Sequence, residues 1–201
     1  MMKHIIGDNA YNRFMTRVFD ITEVSVLALI CCIPVLTAGA ALTAACAVFM
    51  KMGKDQEGRI HKEYFRQFLS NLKESLVGWI INMVIIGIVL FDLYYARNNA
   101  LQYGITIPLA MGNWAYLSWY FCLRARFKES TFSAIRNALK FSVAFFPVSL
   151  LCGCIPVGIL LLVNWYPTIQ VILPIFFIAA LLYLPSVLIG KSLDAWMLSR
   201  E

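Results

Sequence analysis

The run Phe141–Gly190, FSVAFFPVSLLCGCIPVGILLLVNWYPTIQVILPIFFIAALLYLPSVLIG, contains no Lys, Arg, Asp or Glu. As one helix it would be roughly 75 Å long. A hydrocarbon core is about 30 Å thick, so one pass cannot use the run and two passes can. Its centre, Asn164-Trp165-Tyr166-Pro167-Thr168, reads as a turn with aromatic interface anchors. The chain is therefore predicted to end in a transmembrane hairpin over 141–190. The fold class that follows is all-α, a polytopic helical membrane protein.

Composition agrees. Of 201 residues, 61% are hydrophobic and 14% are charged, where an ordinary globular chain carries about 25% charged residues. The charge deficit comes from long blank windows, which leaves one integral membrane domain, 1–201, and no room for a separate soluble one. The net charge is +6. Its Lys and Arg residues sit in two loops and at the termini, as orientation signals do, so nucleic acid is not an expected partner. The first 23 residues contain Asp8, Asp20 and Glu23 and no apolar core of a cleavable signal. The first apolar segment is expected to act as an uncleaved anchor.

Residues 1–23 read as an amphipathic helix on the membrane, with Tyr11, Phe14, Met15 and Val18 on one side. Val24–Met50 is the first uncharged window, and it is broken at Pro34–Gly39. Pro34 disfavours helix at Ile33, Thr37 can cap a new helix, and Gly39 permits close backbone approach. The small residues Ala38–Ala47 suit helix contact in lipid, either within the fold or with a partner. Lys51–Lys73 is a charged loop whose second half carries Tyr64, Phe65, Phe68, Leu69 and Leu72 at helical spacing, an interfacial helix running straight into the next span. Leu76–Ala96 is that span. Ile105–Leu123 is the next, rich in aromatics, and Arg124–Lys140 is a second basic loop with an apolar helical face. With the terminal hairpin the count is about five apolar segments. Loops 51–73 and 124–140 should be cytoplasmic, as should the C-terminus, in a multi-pass protein of the bacterial cell membrane. Two readings of the N-terminus stay open. If Val24–Met50 crosses once, the N-terminus is outside. If the break is a hairpin tip, the N-terminus is inside, as Lys3, Arg13 and Arg17 prefer, and the tip must be buried in protein because irregular backbone does not face lipid.

No catalytic constellation, phosphate-binding loop or metal-ligand spacing appears, so no catalytic residue, cofactor or metal is expected and the chain is read as non-enzymatic. The six cysteines lie in or beside apolar runs and read as small packing residues. Polar residues at membrane depth are functional candidates by default. Here they are Asn82, which either pairs with a neighbouring helix or touches a substrate, and Asp92, which either snorkels near Arg97 or lines a path. The aromatics Trp114, Tyr116, Trp119 and Tyr120 suit sugar stacking, an interface belt or packing. Pro147, Pro156, Pro174 and Pro185 fall in the last two spans, where each is expected to remove a backbone hydrogen bond and kink its helix.

Two motifs resemble a known family. The run Leu29-Ile30-Cys31-Cys32-Ile33-Pro34-Val35-Leu36-Thr37-Ala38-Gly39-Ala40-Ala41 is similar to the L-P-V-x-T-x-G-x-A signature near the start of YesL-like proteins. The run Tyr64-Phe65-Arg66-Gln67-Phe68-Leu69-Ser70-Asn71-Leu72-Lys73-Glu74-Ser75 resembles their F-F-R-x-F-K-x-N-F-K-x-A helix. The chain departs with Leu69 where Lys is usual and Ala40 where Pro is common. The family comprises integral membrane proteins of unknown function from Gram-positive bacteria, with genes often beside carbohydrate ABC importers and glycan-degrading enzymes. The resemblance implies an accessory role in oligosaccharide uptake, with ABC permease subunits as partners. It transfers Pro34, Thr37, Gly39, Phe65, Phe68 and Asn71 as positions for fold or partner contact. A small independent, homo-oligomeric transporter or channel using Asn82 and Asp92, and a membrane scaffold or sensor, are the other expectations.

Overall fold

A computed structural model describes residues 10–53, 59–96, 100–127, 130–165 and 173–198. Every regular element among them is helical: α1 (Ala10–Cys32), a single 3-10 turn (Val35–Thr37), α2 (Ala38–Met52), α3 (Ile60–Ala96), α4 (Ala100–Arg126), α5 (Thr131–Ala144), α6 (Phe146–Trp165) and α7 (Leu173–Leu198). The protein is an all-α, polytopic membrane-type bundle.

The break in the first apolar window is real, and α1 and α2 fold back on one another across it. The Arg17 guanidinium, two-thirds of α1 before the break, donates to the Met52 carbonyl at the far end of α2. The pair is therefore antiparallel, and the start of α1 lies at the same end of the molecule as the α2–α3 connection. This is the hairpin reading. The amphipathic stretch and the apolar stretch of α1 form one continuous helix.

Helix α2 is the axis. Among its residues only Leu42 and Lys51 escape full burial, and α1, α3, α4 and α7 surround it. The small side chains Ala40, Ala41, Ala44, Ala45 and Ala47 allow those approaches, which is how helices associate where no hydrophobic drive separates them from lipid. Of the two uses expected for this stretch, contact within the fold is the one its burial shows.

Helix α3 is one unbroken helix of 37 residues, about 55 Å long. Its charged half and its apolar half are collinear. Helix α4 returns antiparallel beside it. The Thr106 hydroxyl faces Asp92 at one end, and Phe121 packs on Trp79 at the other. Helix α7 runs parallel to α4, since Cys122 lies against Ser186 and Arg126 pairs with Asp194. The α2–α3 connection, the α4–α5 connection and the end of α7 consequently share one end of the molecule.

Three stretches among the described residues are long and apolar enough to cross a bilayer: Val35–Met52, Ser75–Tyr95 and Leu181–Leu198. The bent pair Thr131–Ala144 and Phe146–Ile159 makes a fourth. The expected span Ile105–Leu123 is not among them. Asn113, Ser118 and the tyrosines and tryptophans of α4 dilute its apolarity, although α4 runs back along the apolar half of α3 and is packed by α2, α3, α5, α6 and α7.

The terminal run also differs from expectation. Its first residues, Phe141–Ala144, finish α5, which Ser130 caps by accepting from the Ser133 amide. The chain then turns by 99° into α6. The Ser149 hydroxyl bridges the corner to the Ser142 carbonyl at 2.7 Å. Pro147 and Pro174 stand in the first turns of α6 and α7, where the amide has no intrahelical partner anyway. Only Pro156 and Pro185 lie inside their helices. The predicted turn at 164–168 falls mostly outside the described residues, as do Lys3 and Arg97.

Candidate functional site

The first motif builds the tip of the α1–α2 hairpin. Pro34 supplies no amide. The Thr37 amide donates to the Pro34 carbonyl at 2.9 Å. The Thr37 hydroxyl lies 2.8 Å from both the Pro34 and the Cys31 carbonyls. Thr37 thus caps the end of α1 as much as it starts α2; no side-chain cap of α2 by Thr37 is formed. Trp79 of α3 closes the arrangement, its indole Nε1 donating to the Val35 carbonyl at 2.7 Å. Gly39 is what lets Trp79 approach, because a Cβ there would lie 2.6 Å from the Trp79 Cβ. Pro34, Thr37 and Gly39 therefore act together, and they act on a residue that sequence reasoning passed over. The signal that would have found Trp79 is its place one turn into the apolar half of α3.

Within this chain the tip is open: Ile33, Pro34, Val35 and Leu36 are all exposed, so the bundle itself does not supply the cover expected of irregular backbone. The hydrogen bonding just described pairs the Cys31, Pro34 and Val35 carbonyls within the fold.

The second motif lies on the charged half of α3. Tyr64, rather than its flanking phenylalanines, is the fully buried member, reaching the Ala41 carbonyl of α2 at 3.3 Å. Phe68 stacks on Tyr64, and Phe65 is half-exposed. The Asn71 amide bonds the Gln67 carbonyl one turn back. One residue outside the transferred set organises this helix start: Glu63 accepts from Lys51 at 2.5 Å, from Arg66 at 2.7 Å and from Gln67 at 3.0 Å. Burial pushes the Glu63 carboxyl upward, but the bonds from Lys51, Gln67 and Arg66 outweigh it and bring the pKa down to about 2. Beside it, His61 Nδ1 lies 2.7 Å from a Glu23 oxygen, tying α3 to α1.

Asn82 and Asp92 do not share a site. They are ten residues apart along α3, about 15 Å. Asn82 is fully buried; its amide nitrogen donates to the Gly78 carbonyl at 2.8 Å, and its oxygen has no hydrogen-bond partner. It belongs to a polar seam between α3 and α4. Ser75, Gly78 and Asn82 face Tyr116, Tyr120 and Arg124, spaced to share one face of α4. The Ser75 and Tyr120 hydroxyls are likewise buried without a partner. Gly78 makes the notch for Tyr120, whose hydroxyl would sit 1.8 Å from a Cβ at that position. Asp92 instead accepts from Thr106 at 2.6 Å and from Gln102 at 3.1 Å, which joins α3 to the start of α4.

The aromatics of α4 are core. Trp119 is fully buried, stacks on Phe141 and Phe145, and donates to Ser149 at 2.9 Å. Neither a sugar platform nor an interface belt is formed by Tyr116, Trp119 and Tyr120. A small, partly open apolar cavity of about 60 Å³ lies where α2, α3, α4 and α7 meet, lined by Cys46, Trp79, Trp114, Phe121, Cys122 and Ser186 among others. It has room for a few water molecules and not for a sugar ring. The cysteines are free thiols, and no group of three or more His, Cys, Asp or Glu side chains is placed to hold a metal among the described residues.

Residues 20–93 match the family model described as a protein of unknown function, DUF624. No curated protein and no solved structure matches the chain. The matched segment takes in most of the α1–α2 hairpin and nearly all of α3, so it covers both motifs and Trp79. The hydrogen bonds at the tip and the Gly39–Trp79 contact all lie inside it.

Proposed function

We propose that the protein is a YesL-like, non-enzymatic accessory subunit of a carbohydrate ABC importer in a bacterial cell membrane. It would contact the permease through the outer face of α3. The observation that carries this reading is the exposure of that face. Only 22% of the Ser75–Tyr95 window is buried within the bundle. Val77, Ile80, Val84, Ile88, Phe91 and Tyr95 are all exposed, and their steps of three and four residues place them on one stripe. Such a stripe packs against another helix as readily as against lipid.

The interior supports the same reading. Asn82 is buried between helices, Asp92 is engaged by two neighbours, and the cavity beside Trp79 is small and apolar. A carrier acting alone needs polar groups converging on a wet path, and the two candidate residues do not converge. The Lys and Arg residues of the shared end, which holds the α2–α3 and α4–α5 connections, support a cytoplasmic side for it. The C-terminus goes with it.

Co-purification tests the proposal. A tagged chain in its native membrane should bring down permease subunits, and Val84→Arg with Ile88→Arg on the stripe should release them. Recovery of the chain alone, together with unchanged sugar uptake in a deletion strain, would overturn it. Sugar flux into liposomes containing only this protein would replace it with an independent transporter.

A further inference from the structure

We infer that the α1–α2 hairpin is a membrane-dipping wedge: its tip enters the bilayer from the end that holds the α2–α3 connection and does not emerge on the other side. The first observation is depth. The tip is pinned to Trp79 through the Val35 carbonyl and Gly39. Trp79 stands only four residues into the Ser75–Tyr95 window, about 6 Å along the helix. Beyond Trp79, α3 continues to Ala96, about a further 25 Å. The hairpin therefore stops near the start of the apolar layer that α3 crosses.

The second observation is chemistry. Ile30, Ile33, Val35 and Leu36 are exposed at the tip, Ile33 at 76% and Leu36 at 62%. Through Trp79 the tip is held at the level of Val77 and Ile80, the first exposed residues of the α3 stripe on either side of that indole. The apolar surface of the tip thus lies at the depth where the apolar stretch of α3 begins.

The third observation is that much of the tip's irregular backbone is paired within the fold. Irregular backbone normally fails in lipid because its carbonyls and amides go unpaired. Here the Ile33 amide reaches the Ile30 carbonyl at 3.3 Å, and the Thr37 amide reaches Pro34. Pro34 has no amide to satisfy. The Thr37 hydroxyl, with one proton to give, is within reach of the Cys31 and Pro34 carbonyls, and the Trp79 indole donates to the Val35 carbonyl. The occupant is the acyl layer of the bilayer, reached to the shallow depth typical of interfacial segments.

The test uses the full chain reconstituted in liposomes of defined lipid, with Cys31, Cys32 and Cys154 changed to Ala and the buried thiols left in place. Single cysteines replace Ile33, Leu36, Lys62 and Leu101. Because Ile33 and Leu36 are exposed, their replacement removes little packing. Lys62→Cys and Leu101→Cys should react with a membrane-impermeant maleimide from opposite sides. Ile33→Cys and Leu36→Cys should react at least about tenfold more slowly than Lys62→Cys from either side, since a thiol in apolar surroundings resists ionisation. Spin labels at the same two sites should collide with oxygen in preference to a water-soluble nickel chelate. Labelling of Leu36→Cys from the Leu101 side would mean that the hairpin crosses, and overturns the inference. Labelling as fast as Lys62→Cys would place the tip in water and overturns it too. Protection in native membranes but not in pure lipid would assign the tip to a protein partner instead, with the same consequence. No permease is present in the liposomes, so this result is independent of the importer proposal.

Discussion

Single atoms decide two places in this molecule. At Gly39 the missing Cβ admits Trp79, and the neighbour it would strike is the Trp79 Cβ itself, which cannot swing away. Gly39→Ala should therefore destabilise the protein by about 1–3 kcal/mol, as overpacking does, in thermal unfolding in detergent. Gly87→Ala, where nothing lies within 4 Å, should be neutral or slightly stabilising; equal effects of the two would remove the clash argument. At Gly78 the neighbour is the Tyr120 hydroxyl, and that contact is removable. Gly78→Ala alone should lower stability by about 1–3 kcal/mol. Tyr120→Phe alone should be nearly silent, because its hydroxyl is buried without a partner. The double variant should recover most of the loss, and a cycle with no coupling would count against the notch.

At the scale of the element, the start of α3 depends on one carboxylate. The carboxyl of Glu63 is held near 2, below its ordinary value of 4.5, by Lys51, Gln67 and Arg66. A depressed folded pKa means that the contribution is complete above about 4.5 and is lost as pH falls toward 2. Its size is about 1–2 kcal/mol once the exposure of Lys51 and Arg66 is allowed for. Wild type should lose stability over that window faster than Glu63→Gln, with the two curves converging at the acid end. Parallel curves would show that the cluster contributes nothing. The prolines belong to this scale too. Pro156→Ala restores an amide inside α6 and should leave the 99° corner intact, because the corner is set at Phe145 and bridged by Ser149.

At the scale of the whole molecule, three features share one end: the start of α1, the α2–α3 connection and the end of α7. Reporter fusions at the N-terminus and at the C-terminus should therefore give the same sidedness, and opposite sidedness would break the hairpin topology. Arg126 and Asp194 fasten α4 to α7 at that end. Asp194→Asn should cost about 1 kcal/mol, since the pair is only partly buried, and should loosen the C-terminal turn first in hydrogen exchange.

Much of this was legible in the sequence. The blank run Phe141–Gly190 required membrane helices because so many uncharged residues cannot be accommodated otherwise. The Pro34–Gly39 break, the small-residue character of α2 and the amphipathic start of α3 are local patterns, and each appeared where it was read. What stayed hidden depends on neighbours far apart in the chain. The direction of α1 against α2 is settled by Arg17 meeting Met52, and the role of Gly39 by Trp79, forty residues on. Asn82 and Asp92 looked alike as polar residues at membrane depth; packing makes one a core amide and the other a helix-joining acid. A sequence records which side chains prefer lipid or water, because that preference belongs to each residue. Which polar groups are already satisfied, and so whether a break such as Pro34–Thr37 can face hydrocarbon, depends on the atoms that the fold brings to it, and only the tertiary structure supplies those.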